Sequence, residues 1–293
     1  MPNPRVLVKR RKSVQNTRKI TKTMEMVSTA RLAKAQQAAI ASRPYASKLR
    51  EVIGDLASMA GGIEHPLLKE HSTPKKAVLI VMTSDRGLCA AFNSNTVRAA
   101  RDFYRTLQGR GLEIELVAHG KKAQAALRYL GWDVTQSYVR VSDKPDYARA
   151  EEMGGSLIER FTSGDIDEAY VAYSVFKGLT AQVPTVEKLL PLSGLDGSPE
   201  GTEEKKSVAT EYLFHPGPEK ILAEMLPLVV KLSLFTAMLD SAAGEHSARR
   251  VAMKNATDAA DDMIKSLTQS YNRARQGKIT QEISEIVSGA EAL

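Results

Sequence analysis

The chain has 293 residues, of which 43% are hydrophobic and 26% are charged, as is ordinary for a folded globular protein. A single cysteine, Cys89, excludes intrachain disulfides, CxxC redox pairs and cysteine-based zinc sites. No stretch approaches the roughly 20 apolar residues of a membrane span, and the N-terminus lacks the apolar core of a secretion signal. These features predict a cytosolic or peripheral protein.

The net charge of +7 is concentrated at one end of the chain. Residues 1–50 contain 13 Lys and Arg residues and one acid, Glu25, so this segment carries +12 and the remainder −5. Such a segment favours an anionic partner, which is nucleic acid, an anionic membrane surface or an acidic protein surface. Composition alone does not choose among these three.

Residues 1–60 have the apolar rhythm of one long helix. Alternating steps of three and four residues from Val14 define a heptad-like seam: Thr17, Thr21, Met24, Ser28, Arg31, Ala35, Ala38, Ser42, Tyr45, Leu49, Val52, Leu56 and Met59. Because many of these side chains are small, they bury little area, and the helix needs a partner. Pro44 predicts a bend or a break, and the helix is expected to end before Gly61.

The central segment, residues 75–215, is typical of an α/β domain with a mainly parallel sheet. In chain order we predict strand "KAVLIVMTS", helix "TVRAARDFYRTLQ", strand "LEIELVAHG", helix "KKAQAALRYLG", helix "DYARAEEMGGSLIERFTSG" and strand "EAYVAYSVF". Two further stretches, "QVPTVEKLLPL" and "TEYLF", suit edge or antiparallel strands. Between them "SGLDGSPEGTEEKK" is expected to be a surface loop.

The last segment, residues 218–290, is predicted to be a second long helix, with Pro218 in its first turn. The same stepping gives a second seam: Leu232, Phe235, Leu239, Ala242, His246, Arg249, Met253, Ala256, Ala260, Met263, Leu267, Ser270 and Ala274. About 70 helical residues extend on the order of 100 Å, far beyond a compact domain of this size. The predicted fold class is therefore α/β with long helices: an antiparallel coiled coil of the two terminal helices with an inserted Rossmann-like domain.

The place to look for an active site is the loop "TSDRGLCAAFNSN", which follows the first predicted strand. It contains neither GxGxxG nor GxxxxGK[ST], and its one glycine, Gly87, does not make the usual phosphate cradle. Cys89 has no nearby histidine in the sequence to activate it, so a small semi-buried thiol is the better interpretation. We therefore expect no catalytic residue and no cofactor.

The five histidines show no metal-ligand spacing, so no metal site is predicted. His246 and Arg249 differ from the other polar residues because they fall on the second seam. They are expected either to form a polar layer that fixes the register of the helices or to be tolerated on a half-exposed seam.

Four stretches, spread in order over almost the whole chain, resemble the gamma-subunit family of F-type ATP synthases. They are "SVQNTRKITKTMEMVSTARLAKAQ", "SDRGLCAAFNSN", "QVPTVEKLLPL" and "EHSARRVAMKNATDAADDMIKSLTQSYNRARQGKITQEISEIVSGA". The resemblance implies a central-stalk rotor that couples rotation of the c ring to conformational change at catalytic beta subunits. The implied partners are three alpha and three beta subunits, the epsilon subunit and the c ring, and the implied location is peripheral, at the cytoplasmic face of a bacterial cell membrane.

The resemblance also implies roles for individual residues. Positions that match family contacts to the beta subunit, or coupling to it, are Met24, Asp85, Arg86, Cys89, Arg249, Arg275, Gln276 and Thr280. The apolar stripe of a bearing tip is implied at Ile279, Ile283, Ile286 and Val287. The chain departs from the family pattern at Ala90 and Ala91, where a glycine pair is usual, at the polar Arg250, and at Gly277 within the expected helix.

Two alternative hypotheses come from different classes of protein. One is a free-standing α/β enzyme, which predicts activity from the isolated middle domain. The other is a coiled-coil protein that binds nucleic acid through its basic N-terminal segment. It predicts salt-sensitive affinity for DNA or RNA at residues 1–50 and gives no role to the apolar tip. Aromatic residues are too sparse in that segment to provide a stacking platform for single strands.

Overall fold

The computed structural model describes residues 4–59, 65–71, 73–192 and 217–291. The helices in these ranges are α1 Pro4–Met59, α2 Phe92–Gly109, α3 Lys121–Tyr129, α4 Tyr147–Thr162 and α5 Pro218–Glu291. The strands are β1 Lys76–Met82, β2 Glu113–His119, β3 Gln136–Tyr138, β4 Glu168–Phe176 and β5 Gln182–Leu190. Two long terminal helices therefore enclose an α/β segment in the sequence, as predicted.

The long helices tolerate the residues that were expected to interrupt them. The helix α1 continues through Pro44 and ends at Met59, so the predicted end is confirmed and the chain does not break at the proline. Pro44 is exposed, and a missing hydrogen bond on the exposed side of a long helix is a local loss. The helix α5 likewise begins at Pro218 and continues through Gly277.

The sheet has the strand order β3-β2-β1-β4-β5. The pairs β3–β2, β2–β1 and β1–β4 are parallel, and β5 runs antiparallel to β4. This confirms the predicted mainly parallel sheet with an antiparallel edge. The three-residue strand β3 was not predicted, because "QSY" is too short and too polar to stand out as a strand.

Each face of the sheet is covered by helices. Alternate residues of β1 point to opposite faces: Leu79 packs in a cluster with α2 and α3, whereas Ile80 packs in a cluster with α4, α5 and α1. The α5 residues in the second cluster are Leu222, Leu226, Val229, Val230, Leu232, Leu234, Ala237 and Met238. The core of the α/β domain is thus completed by a terminal helix. The predicted strand "TEYLF" and the predicted loop "SGLDGSPEGTEEKK" lie outside the described residues.

By compactness the chain divides into two units, Met1–Ala30 with Arg249–Leu293, and Arg31–Ala248. In the first unit the two helices run antiparallel: Leu7 clusters with Leu267 and Ala274, while Thr21 bonds to Thr257. In the second unit Leu32 of α1 clusters with Ala243 of α5. The predicted antiparallel pairing is therefore confirmed within each unit.

The buried seam follows the prediction only in part. Thr21, Ser28 and Leu49 are buried as predicted, but Ala39 takes the buried position expected of Ala38. On α5, Ala260, Leu267 and Ala274 are buried, whereas Met263 is exposed; Tyr45 on α1 is exposed as well. A strict step of 3.5 residues drifts against the 3.6-residue turn of an α-helix, so the buried side shifts by one residue at intervals.

The helix α5 also corrects one expectation from composition. It contains a window that is long and apolar enough, by length and composition alone, to cross a membrane. The window arises because the side chains between Leu222 and Met238 supply the core beneath the sheet. The core helix of a globular domain can have the same composition as a membrane span, and 44% of this window is buried inside the structure.

Candidate functional site: the loop after β1 and the paired helices

The loop after β1 lies at the carboxyl edge of the parallel strands. There it meets the start of α3 and the segment 140–143, which follows β3. Gly120, at the N-cap of α3, has φ +98°, and a Cβ at this position would lie 2.3 Å from the carbonyl oxygen of Thr83. Glycine is therefore required for this close approach of α3 to the end of β1.

Asp85 joins these three segments through its carboxylate. Its Oδ1 accepts the backbone N–H groups of Lys121 (3.0 Å) and Arg140 (2.9 Å). Its Oδ2 accepts the backbone N–H (3.1 Å) and the hydroxyl (3.2 Å) of Ser142. Burial by itself raises the pKa of Asp85, but these donors outweigh it and hold the pKa below its usual value. The carboxylate is thus ionised and fully engaged in fixing the loop.

Arg86 projects from the same loop and is exposed. Its Nη2 lies 3.0 Å from Oδ2 of Asp143, and Nη1 of Arg31 on α1 lies 3.0 Å from the same oxygen. Arg86 is therefore accessible to a partner and at the same time linked to α1 through one carboxylate. Asp143 and Ser142 were not predicted as site residues, since nothing in the sequence indicates that they meet a loop more than 50 residues away.

Cys89 is buried rather than presented to solvent. The side-chain amide of Asn93 donates to its sulfur at 3.1 Å, and its neighbours in the core are Phe92 and Ala248. The thiol contributes to packing between the loop and α5, and it is more deeply buried than the semi-buried thiol that the sequence led us to expect.

The turn around Cys89 has an unusual backbone. Leu88 has φ +62° and Ala90 has φ +49°, both in the left-handed region that non-glycine residues rarely occupy. Ala90 is one of the two adjacent alanines singled out in the sequence, and it is the one with the strained backbone. Leu88 is strongly exposed.

The first unit holds the residues implied for the shaft. Between the helices, Nε of Arg18 lies 2.5 Å from Oδ1 of Asp261, and the hydroxyls of Thr21 and Thr257 are hydrogen-bonded at 2.8 Å. Met24, three residues after Thr21 on α1, is half-buried. Arg249 in the first unit and His246 in the second unit are both buried. Burial agrees with their predicted positions on the seam of α5.

The remaining implied residues are exposed. Arg275, Gln276 and Thr280 present their side chains to solvent. The tip residues are exposed by about half or more: Ile279 47%, Ile283 56%, Ile286 71% and Val287 50%. Four large apolar side chains at steps of four, three and one residue make a continuous uncovered stripe, which is typical of a contact surface.

Titratable groups outside the loop offer little for chemistry. His119, at the end of β2, is buried, and neither of its ring nitrogens has a hydrogen-bond partner among the described residues. Burial, with the nearby Arg149, lowers its pKa to about 4 despite the opposing charge of Asp85. Within the described ranges no group of three or more His, Cys, Asp or Glu residues is placed to hold a metal ion.

Comparisons with known proteins point in one direction. The family model described as ATP synthase matches residues 3–293. The ATP synthase gamma chain of Pelotomaculum thermopropionicum is 43% identical over 293 residues, and that of Leptospira biflexa is 42% identical over 293 residues. Both alignments cover 100% of this chain and 100% of the relative.

Solved structures share the fold. A chain from the mitochondrial ATP synthase of Euglena gracilis, solved with OSCP, F1 and the c ring, has a TM-score of 0.65 at 20% identity and covers 99% of this chain and 94% of its own. A chain from the central stalk and c ring of the Tetrahymena thermophila enzyme has a TM-score of 0.59 at 23% identity, covering 81% of this chain and 99% of its own. At such identities the likeness establishes the fold alone.

Proposed function

The chain belongs to the ATP synthase gamma chain family, and from this premise we propose that it is the rotor that couples turning of the c ring to conformational change at catalytic beta subunits. The observation that carries the proposal is the full-length match to gamma chains, at 43% identity over 100% of both sequences. The resemblance seen in the sequence is thereby confirmed at the level of the family.

The proposed mechanism needs no catalytic residue on this chain, and we assign the active sites to the beta subunits. A single asymmetric shaft presents a different side to each of three alpha–beta pairs, so each beta subunit is stabilised in a different conformation. Turning the shaft then moves these conformations around the head in sequence. The chain's own loop supports this assignment, because the Asp85 carboxylate is occupied by four donors and the Cys89 thiol is buried.

We propose that the contacts to beta subunits lie on the exposed parts of both units. In the second unit, exposed Arg86 is suited to an acidic loop. In the first unit the exposed side chains proposed for these contacts are Arg275, Gln276 and Thr280, and the half-buried Met24 is proposed as a further contact residue. The buried position of Arg249 suggests that it acts through the helix it supports. The division of the chain into an N-terminal coiled-coil helix (residues 1–60), a central α/β domain (75–215) and a C-terminal coiled-coil helix (218–290) is also part of the proposal.

The uncovered stripe Ile279, Ile283, Ile286 and Val287 is proposed as the bearing surface at the end of α5. Apolar side chains form no directional bonds, so a surface of this kind can turn within an apolar sleeve without breaking hydrogen bonds at each step. The same stripe has no role in the nucleic-acid alternative. That alternative is not supported, since the full-length relatives reported above are gamma chains.

As a member of this family the chain belongs to a membrane-associated complex. We propose that it reaches the membrane indirectly, through the c ring and with the epsilon subunit alongside, at the cytoplasmic face of a bacterial cell membrane. The apolar window of α5 supports an indirect association, because many of its side chains are already buried in the core of the α/β unit.

The proposal is tested by assembling the matching alpha and beta subunits with and without this chain. We expect a stable complex of one copy per three alpha–beta pairs, measured by native mass, and much faster steady-state ATP hydrolysis than without it. A chain that neither joins the complex nor changes its rate, and that binds DNA in a salt-sensitive way, would overturn the rotor in favour of a coiled-coil protein that binds nucleic acid.

A further inference from the structure

Two segments at the carboxyl edge of the sheet are joined residue by residue. The backbone N–H of Asp85 donates to the Ser142 hydroxyl at 2.9 Å, and the Asp85 carboxylate accepts the Ser142 N–H at 3.1 Å. One residue further along each segment, Arg86 pairs with Asp143 at 3.0 Å. These consecutive pairs fix the direction in which the loop carries the Arg86 side chain.

Asp143 extends this link to α1. Its Oδ2 contacts both Arg86 and Arg31, each at 3.0 Å. Its Oδ1 is buried and has no hydrogen-bond partner among the described residues. Both guanidinium groups therefore contact the same oxygen atom, and one carboxylate connects the loop after β1 to the long N-terminal helix.

The exposure of the three side chains indicates what this link does. The side chain of Asp143 is 25% exposed, whereas those of Arg31 and Arg86 are 39% and 63% exposed. An exposed ion pair adds little to folding stability, because water and salt screen it and ordering two long side chains costs entropy. The same pair nevertheless restricts where the guanidinium groups lie, and without the carboxylate the two cations would repel each other.

We propose that Asp143 is a positioning residue, which holds the guanidinium of Arg86 in a fixed orientation relative to Arg31 so that the two cations meet an acidic surface of a neighbouring subunit as one preorganised pair. The inference rests on the proposed function, which places Arg86 against a beta subunit. Its effect is on the apparent affinity of the rotor for the head, because preorganisation lowers the entropy lost on binding.

The test uses the full-length chain titrated into the alpha–beta head while ATP hydrolysis is followed. Asp143→Asn removes the charge and nearly keeps the shape; Asp143→Glu restores the charge. Asp133→Asn is the matched control, since Asp133 is an exposed acid after α3, away from this loop in the sequence. We expect Asp143→Asn to raise the half-saturating concentration of the chain about fivefold at low ionic strength, with much of the effect lost as salt increases.

A second background separates positioning from packing. In chains that carry Arg86→Gln, Asp143→Asn should have little further effect, because the side chain it positions is gone. Asp143→Glu should recover most of the affinity, and Asp133→Asn should leave it unchanged. A loss of equal size in both backgrounds, independent of salt and accompanied by a lower Tm, contradicts the inference and indicates a packing role.

The two proposals fail in different ways. If the wild-type chain has no effect on turnover, the proposed function itself is overturned. If the wild-type chain stimulates hydrolysis and the curves of Asp143→Asn and Asp133→Asn coincide, the rotor stands and only the role of Asp143 is overturned.

Discussion

Ala90 has φ +49°, a conformation that an L side chain reaches only at a cost of about 1–2 kcal/mol. The neighbouring Ala91 has φ −85° and pays no such cost. Both side chains are exposed, so the backbone dominates the effect of replacing either one. Backbone geometry thus gives a reason to prefer glycine at position 90 and none at position 91.

We predict that Ala90→Gly stabilises the chain by about 1 kcal/mol, because glycine adopts a positive φ without steric penalty. Ala91→Gly is the matched control and is expected to be neutral or destabilising by up to about 1 kcal/mol. Thermal unfolding of the two variants gives the comparison. A lower Tm for Ala90→Gly than for wild type would show that the turn is not strained in solution.

His119 is the second residue whose environment lowers the stability of the fold by a measurable amount. Its pKa is lowered to about 4 in the fold by burial, against a usual value of 6.5. The unfolded chain therefore binds a proton first as pH falls, so native stability decreases between pH 6.5 and pH 4, by up to about 3 kcal/mol. Asp85 acts in a different window, because its lowered pKa makes the fold lose stability only below its usual 3.8.

We predict that His119→Leu flattens the decrease in unfolding free energy between pH 6.5 and pH 4, since leucine fills similar space and binds no proton. The measurement is denaturant unfolding of both chains across this range. His65 also has a pKa lowered by burial, so the difference between variant and wild type is compared at each pH. Parallel curves for the two chains would mean that His119 is solvated or hydrogen-bonded in solution.

At the scale of elements, the packing of α5 against its neighbours depends on small residues. Gly154 on α4 is buried against Lys231, and a Cβ at this position would lie 3.0 Å from Cγ and 3.3 Å from Cα of that residue. Gly155, one residue on, would place its Cβ in open space. The two adjacent glycines therefore differ. The packing of α4 against α5 leaves little room for a larger side chain at Gly154, whereas it leaves room for one at Gly155.

We predict that Gly155→Ala stabilises α4 by about 1 kcal/mol, the ordinary gain of alanine over glycine inside a helix. Gly154→Ala should lose that gain or become destabilising, because the backbone of α5 must move to accept the new methyl group. Denaturant unfolding distinguishes the two variants. Equal stabilisation by both variants would show that α4 and α5 are packed more loosely than the distances at Gly154 indicate.

At the scale of the whole molecule, function is proposed to depend on surfaces that the chain leaves uncovered. The tip residues between Ile279 and Val287 are exposed, so they contribute little to folding. Their value lies in contacts with other subunits, where exposed apolar area can be buried.

We predict that removing residues 279–293 leaves the Tm of the chain nearly unchanged but weakens coupling in the assembled enzyme. The measurement is ATP-driven proton pumping per ATP hydrolysed in vesicles that contain the whole complex. Replacement of the exposed Lys278 by Ala serves as a control outside the apolar stripe. Unchanged pumping per ATP after the truncation would remove the bearing role from the proposal.

The sequence by itself determined the elements whose signals are local. Long apolar periodicity predicted α1 and α5, buried runs predicted β1, β2 and β4, and Pro218 marked the start of α5. It did not predict the three-residue β3, and strict heptad steps displaced parts of the seam, since a real helix turns every 3.6 residues. Family motifs marked Asp85, Arg86 and Cys89 as a group.

Only the tertiary structure decided how those groups are held. The ties of Asp85 to Ser142, and of Arg86 through Asp143 to Arg31, join segments that are far apart in sequence. The burial of Cys89 and the left-handed backbone of Ala90 likewise follow from the packing of the strands and helices around them. The same holds for the ring of His119, which has no hydrogen-bond partner among the residues that the structure describes. Local pattern reports what a segment prefers, whereas contacts of this kind exist only once distant segments are brought together by the fold.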